Sequence, residues 1–174
     1  MSGHSKWAQI KRQKGATDAK RSKIFTKHAR LIANEAKKSN GSINSSLQNA
    51  IDNAKKDNVP KDVIERAIKK GGDKGDALES VTYECYGPGG CAIVIEALTS
   101  NRNKAAQEIK YILSQNGTSL ATPGSASWAF TKHITQWSPT TTVPLSDDDL
   151  VLLEKLVDEL EDNEEVQEVF TNVE

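Results

Sequence analysis

Apolar positions along this chain recur with two different periods, and the change falls near residue 75. Before it they step by three and four. Ile24, Phe25, His28, Leu31, Ile32 and Ala36 share one face and predict a helix over residues 18–38, with Thr17 or Asp18 able to cap it. Ser39-Asn40-Gly41 breaks that helix. Leu47, Ala50, Ile51 and Ala54 predict a second, over residues 44–57. Val59-Pro60 opens a third, because proline is tolerated in the first turn, and Gly71-Gly72 ends it. Its inward face is Val63, Ile64, Ala67 and Ile68. Three short amphipathic helices with alanine-rich stripes make a small bundle. Residues 1–16 show no period and read as an arm. The glycine-rich stretch 71–76 reads as a linker, which sets two domains: 1–74 (arm plus three-helix bundle) and 77–174.

After the linker the period becomes two. Val81, Tyr83 and Cys85 alternate with polar neighbours, Gly87-Pro88-Gly89-Gly90 is turn chemistry, and residues 91–98 are apolar, so residues 81–98 predict a hairpin. Asn101 caps a helix over 102–116, with Ala105, Ile109, Ile112 and Leu113 inward. Residues 118–120 are extended and Pro123-Gly124 turns. Residues 125–130 read as a strand with Trp128 and Phe130 on one face, and 131–139 as a polar loop holding His133 and Trp137. Residues 140–145 read as an edge strand, since Pro144 cannot donate to a ladder. Ser146, followed by three aspartates, caps a helix to residue 161 on Leu150, Leu153, Leu156, Val157 and Leu160. Val166, Val169 and Phe170 lie on a last strand. The class expected is α+β: an N-terminal three-helix bundle with a basic arm, then a ferredoxin-like α/β sandwich with two helices on one face of an antiparallel-rich sheet.

Charge adds a function to this outline. The first 38 residues hold eleven Lys/Arg and two acids, a local charge of +9 in a chain whose total is −1. Residues 1–74 carry 18 basic and 7 acidic side chains; residues 75–174 carry 5 and 17. A polyanion is the counter-charge such a front half is suited to, because each neutralised phosphate releases condensed counterions. Lys6, Lys11, Arg12 and Lys14 of the arm, and Lys20, Arg21, Lys23, Lys27 and Arg30 of the first helix, are the expected nucleic-acid contacts. The helix cations fall mostly away from the apolar stripe and lack the acids that usually alternate with base on a solvated face. Trp7 has two roles open to it: stacking on an exposed base among cations, or packing as a lid on the helical core. No helix presents a row of Asn, Gln and Arg for groove reading, so little base-specific readout is expected. The acids of 147–168 keep that face off phosphates and leave it available to a basic protein partner.

Other classes are excluded by what is missing. There is no run of eighteen apolar residues and no apolar signal core, so a cytoplasmic protein without membrane contact is expected. Cys85 and Cys91 are too few for a disulfide framework or a zinc site. The Gly87–Gly90 loop has no following lysine or helix and is not a phosphate loop. His4, His28 and His133 have no partner at catalytic or metal spacing. No catalytic residue, metal, cofactor or small-molecule substrate is expected, and no enzyme.

The opening GHSKW, the basic run ending in KIFTKHAR, and the segments VPKDVIERAIKKG (59–71), YECYGPGG (83–90), LTSNRNKAAQEIK (98–110), NGTSLATPGSASWAF (116–130) and VQEVFTNV (166–173) together resemble the YebC family. They span nearly the whole chain in the family's order. The resemblance implies a non-enzymatic regulator of gene expression. Family members are known as probable transcriptional regulators, which implies DNA. The family also includes the mitochondrial translational activator of cytochrome oxidase subunit one, which implies the alternative: ribosomal RNA as partner and relief of stalled translation on the ribosome. It further implies a third domain inserted in the second. Here only nine residues separate Phe130 from Thr140, so that domain is expected to be missing near 131–139.

Overall fold

The computed structural model describes residues 5–14, 17–73, 75, 77–134 and 136–174, without the side chain of Lys14. His4, singled out in the sequence, lies outside them. The first element is α1 (Lys6–Lys14). The chain then forms two compact units. One runs from Lys14 to Leu78; the other joins Glu79–Glu174 to the N-terminal residues up to Gln13.

The first unit is a bundle of α2 (Asp18–Lys38), α3 (Ser45–Lys56) and α4 (Lys61–Lys70). Their starts are chemically specified. Thr17 Oγ1 accepts from the Lys20 amide at 3.3 Å, and Asn44 Oδ1 from the Leu47 amide at 2.9 Å. Ile32, Ala36, Leu47, Ala50, Ile51, Ala54, Val59, Ile64 and Ala67 form the core, with Phe25, Ala29, Leu31, Val63 and Ile68 half-buried around it. Small side chains let α2 and the end of α4 approach closely: a Cβ on Gly71 would lie 2.5 Å from Ala36 Cβ. Asn34 is a buried polar residue that the apolar periodicity misses. It clamps the segment after α4, accepting from the Leu78 amide at 2.7 Å and donating to the Leu78 carbonyl at 3.3 Å. Both backbone groups are thereby satisfied.

The second unit contains β1 (Glu79–Tyr86), β2 (Ala92–Thr99), α5 (Arg102–Gln115), β3 (Phe130–His133), β4 (Gln136–Pro139), α6 (Asp147–Asp162) and β5 (Val166–Thr171). β2 is central in an antiparallel sheet of order β1-β2-β5, with Tyr83 opposite Ile95 and Ile95 opposite Val169. Ile93, Ile95 and Ala97 face the main core, which they share with Ile109 and Leu113 of α5 and Leu153, Leu156 and Leu160 of α6. Ala92 and Val94 point the other way, into a smaller core with Phe170, Ala126, Ala129 and Phe130. Burial on both faces is why β2 reads as an unbroken apolar run. The class is α+β, helices first and an α/β unit after.

Four segments depart from expectation. Residues 6–14 are helical, with Ser5 Oγ accepting from the Ala8 amide at 3.1 Å; two apolar positions, Trp7 and Ile10, are too few to register as a period. Residues 125–129 are turns rather than strand, because they wrap around Glu84. That buried carboxylate accepts from the amides of Gly124 (2.7 Å), Ala126 (3.0 Å) and Ser127 (2.6 Å). Burial pushes the Glu84 pKa up, but the three amide donors outweigh it and the net shift is downward. Trp128 consequently does not share a buried face with Phe130 and is 61% exposed. Residues 131–133 and 136–139 are strand residues of the antiparallel β3–β4 pair instead of a loop. Trp137 meets Phe130 edge-on at 6.4 Å, donates to Glu96 Oε1 at 2.8 Å, and lies under the Lys132 ammonium. Residues 140–145 contribute one bridge, Val143 to Val173, and no strand.

Candidate nucleic-acid interface

Lys20, Lys23, Lys27 and Arg30 are spaced by three, four and three residues. On an α-helix this places them along one strip, across from the strip of Phe25, Ala29, Ile32 and Ala36 that enters the bundle core. Lys23 is exposed and the other three are half-buried. The next position of the strip, Asn34, is the buried clamp on Leu78, so the row of cations stops there. The acids of α2 lie off the strip: Asp18 pairs with Arg21, and Glu35 with Lys38 at 3.7 Å. Over ten residues the strip spans about 15 Å. His28 sits on α2's flank, its Nε2 2.6 Å from Asp57 Oδ2 just past α3, a tie between helices rather than a ligand.

The sequence-predicted contacts therefore divide. Arg21 belongs to the bundle with the four strip cations. Lys6, Lys11 and Arg12 are exposed on α1, in the α/β unit, where Lys6 Nζ pairs with Asp147 at 2.6 Å. The side chain of Lys14 lies outside the described residues. Trp7 requires a correction. It is 6% exposed and packed, with Ile10 beside it, in the main core of the α/β unit. It is neither a stacking platform for a base nor a lid on the helical core. Burying an indole removes on the order of 200 Å² from water, far more than an exposed position would gain. Its signal in the sequence is the Trp7/Ile10 pair at i, i+3 following a capping serine.

Neither cysteine offers chemistry at neutral pH. Burial pushes the thiol of Cys85 up to about 12 and that of Cys91 up to about 11. Among the described residues no group of three or more His, Cys, Asp or Glu is placed to hold a metal ion, and no helix is long and apolar enough to cross a membrane. What the α2 strip offers is point charges at regular spacing, which suits phosphates and carries no base code.

The chain joins a basic helical bundle to an acidic α/β unit, and similarity to known proteins assigns it to a family. The family description "TACO1/YebC protein N-terminal domain" matches residues 5–74, and "TACO1/YebC second and third domain" matches 78–136 and 132–173. The chain belongs to the TACO1/YebC family. A protein of Thermoanaerobacter pseudethanolicus named "probable transcriptional regulatory protein" is 38% identical over 239 aligned positions, covering 100% of this chain and 97% of the relative. One of Chlorobaculum parvum with the same description is 46% identical over 180 positions, covering 99% and 71%. The crystal structure of a conserved hypothetical protein from Aquifex aeolicus superposes with a TM-score of 0.77 at 28% identity, covering 98% of this chain and 97% of that one. The relatives' names are those of regulators, not of enzymes.

Proposed function

We propose that this protein is a nucleic-acid-binding regulator of gene expression that holds DNA through its phosphates, in the manner of a transcriptional regulator. The observation that carries the reading is the α2 strip: four cations in register, with the helix's acids turned aside. Lys6, Lys11 and Arg12 of α1 add a second basic segment. The relatives' shared description supports a regulatory role. Affinity comes from counterion release, and specificity from elsewhere than direct base contacts. Burial of Trp7 removes the aromatic that would have favoured unpaired RNA bases, so duplex DNA is the primary reading. In this reading the β3–β4 hairpin stands where relatives carry a third domain, and the bundle and the α/β unit suffice for binding.

The test is a salt titration of binding to a short labelled duplex. With about six phosphates engaged, log Kd against log salt should have a slope of magnitude roughly 5. Changing Lys20, Lys23, Lys27 and Arg30 together to Glu should remove roughly 3 to 4 from it. A flat salt response, or an unchanged slope in the variant, rejects the interface. Sedimentation of a lysate separates the alternative: salt-sensitive co-migration with the large ribosomal subunit, without promoter footprints, would move the target to ribosomal RNA and translation.

A further inference from the structure

We propose that the α/β unit carries a second nucleic-acid contact, separate from the α2 strip: an aromatic platform of Trp128 and Tyr86 on which one unpaired base of a DNA strand stacks. The identity of the strand rests on the reading above. The stacking rests on the platform alone.

The platform is held from several sides. Trp128 is 61% and Tyr86 38% exposed. The Trp128 indole N–H donates to the Tyr86 hydroxyl at 3.0 Å, and that hydroxyl donates to the Ser125 carbonyl. Trp128 stands in the turn Ser127–Ala129. Glu84 fixes the start of that turn through the Ala126 and Ser127 amides, and the Thr140 amide fixes its end by donating to the Ala129 carbonyl at 2.8 Å. Its neighbours Ala126, Ala129 and Phe130 are buried in the smaller core. An aromatic pair held outward in this way loses little conformational entropy when covered, which is a property of contact surfaces.

Hydrogen bonding narrows the occupant. The polar ends of the two rings are used on each other and on Ser125, so the pair offers ring face to the outside. A polyproline-type peptide has carbonyls without internal partners and needs donors from its receptor. The indole N–H is already committed. A sugar ring brings hydroxyls that bind best to charged acceptors, and residues 109–146 contain no Asp or Glu. A nucleobase needs only a ring face, whatever its identity. A base inside a duplex is covered by its neighbours, so the stacking base is unpaired.

Charge lets a strand approach here. None of the seventeen acids of residues 75–174 falls within 109–146, which carry Lys110, Lys132, His133 and thirteen Ser/Thr. Tyr86 lies opposite Ala92 in the sheet, and Ala92 faces the smaller core, away from α5 and the acids of α6. Glu84 is buried, with both oxygens occupied by backbone amides. The groove that Tyr86 also lines carries one charge of each sign, Asp149 and Lys155, and adds no bias.

The experiment compares a blunt labelled duplex with the same duplex carrying a single-stranded extension of ten thymidines, by fluorescence anisotropy on the whole chain at one salt concentration. The extension should tighten binding about tenfold. It should also quench tryptophan emission, because Trp128 is exposed whereas Trp7 is buried and Trp137 half-buried. Trp128→Ala should remove the advantage and the quenching and leave blunt-duplex affinity within about twofold. Trp128→Phe keeps a ring face and should keep most of the advantage. The α2 variant with four glutamates should weaken both duplexes alike and leave their ratio unchanged, so failure of the strip and failure of the platform are read from different quantities. If the strip reading fails altogether, quenching by the free ten-thymidine strand, lost in Trp128→Ala, still tests the platform. An advantage that survives Trp128→Ala, or that Trp128→Phe loses as fully as alanine does, overturns the proposal. So does an RNA extension of ten uridines that binds about tenfold more tightly than the thymidines, which would make the strand RNA. Quenching of Trp128 by a decaproline peptide in place of the strand would assign the platform to a protein and equally overturn it.

Discussion

Among the described residues, four of the nine buried apolar side chains of the bundle are alanine, against one of sixteen in the main core of the α/β unit. The bundle carries most of the positive charge and the α/β unit most of the negative. The difference shows where each unit's stability resides. An alanine-lined core brings backbones close but removes little apolar area, so the bundle depends on a few tight approaches and caps. The α/β unit has Leu, Ile and Val from two strands and two helices, and it also takes in Trp7 from the far end of the chain. Positive charge therefore rides on the thinner core, while the deeper core anchors the basic helix α1.

The largest expected effect tests that anchoring. Trp7→Ala should destabilise the α/β unit by about 3–5 kcal/mol, as loss of a buried aromatic does. Tryptophan fluorescence and calorimetry should report it in that unit's transition, with the bundle's unchanged. If Trp7→Ala leaves stability intact and abolishes nucleic-acid binding, the assignment of Trp7 to the core is wrong.

Next, Gly71→Ala should weaken the bundle alone. Gly71 has an ordinary helical backbone, so alanine would gain roughly 0.4–1 kcal/mol through the unfolded chain. The new Cβ would nonetheless sit 2.5 Å from Ala36 Cβ and 2.7 Å from the Ala33 carbonyl oxygen. Overpacking of that kind costs about 1–3 kcal/mol and decides the sign. A stabilised variant in thermal melts would mean the bundle is looser than its contacts imply.

Glu84→Gln probes the α/β unit through pH. The folded-state pKa lies below the ordinary 4.5, so the carboxylate's contribution is complete above that value and is lost as pH falls through the folded pKa. The variant should cost about 1–3 kcal/mol at neutral pH, since an amide cannot accept from all three backbone donors. Its stability should also decline less than the wild type's between about pH 6 and 3. Parallel pH profiles from denaturant melts would refute the role given to the three amides. The smallest effect belongs to Lys6→Ala. Its exposed pair with Asp147 should contribute under about 1 kcal/mol, so a larger loss would mean that the ion pair, and not Trp7, fastens α1.

Much of the fold was legible along the chain, and the reasons are local. Thr17, Asn44, Asn101 and Ser146 cap helices where a side-chain oxygen followed by an apolar period predicts a start. The cation strip was visible as spacing on α2. Less legible was everything that depends on a partner distant in sequence. Residues 125–129 have the composition of a strand and turn only because Glu84, some forty residues earlier, collects their amides. Residues 131–139 look like a polar loop because, among the described residues of that stretch, only Trp137 packs in a hydrophobic cluster, and it packs on a sheet face formed elsewhere.

By itself, then, the order of residues determined the helices from α2 onward, their caps, the central hairpin and the separation of positive from negative charge. Those follow from period, capping chemistry and composition within a few turns of chain. Tertiary structure alone decided that Trp7 belongs to the α/β core, that Asn34 is a clamp, and that Tyr86 and Trp128 stay at the surface. The physical reason is that burial is a property of what closes over a side chain, and in each case the covering or bonding groups come from distant parts of the sequence.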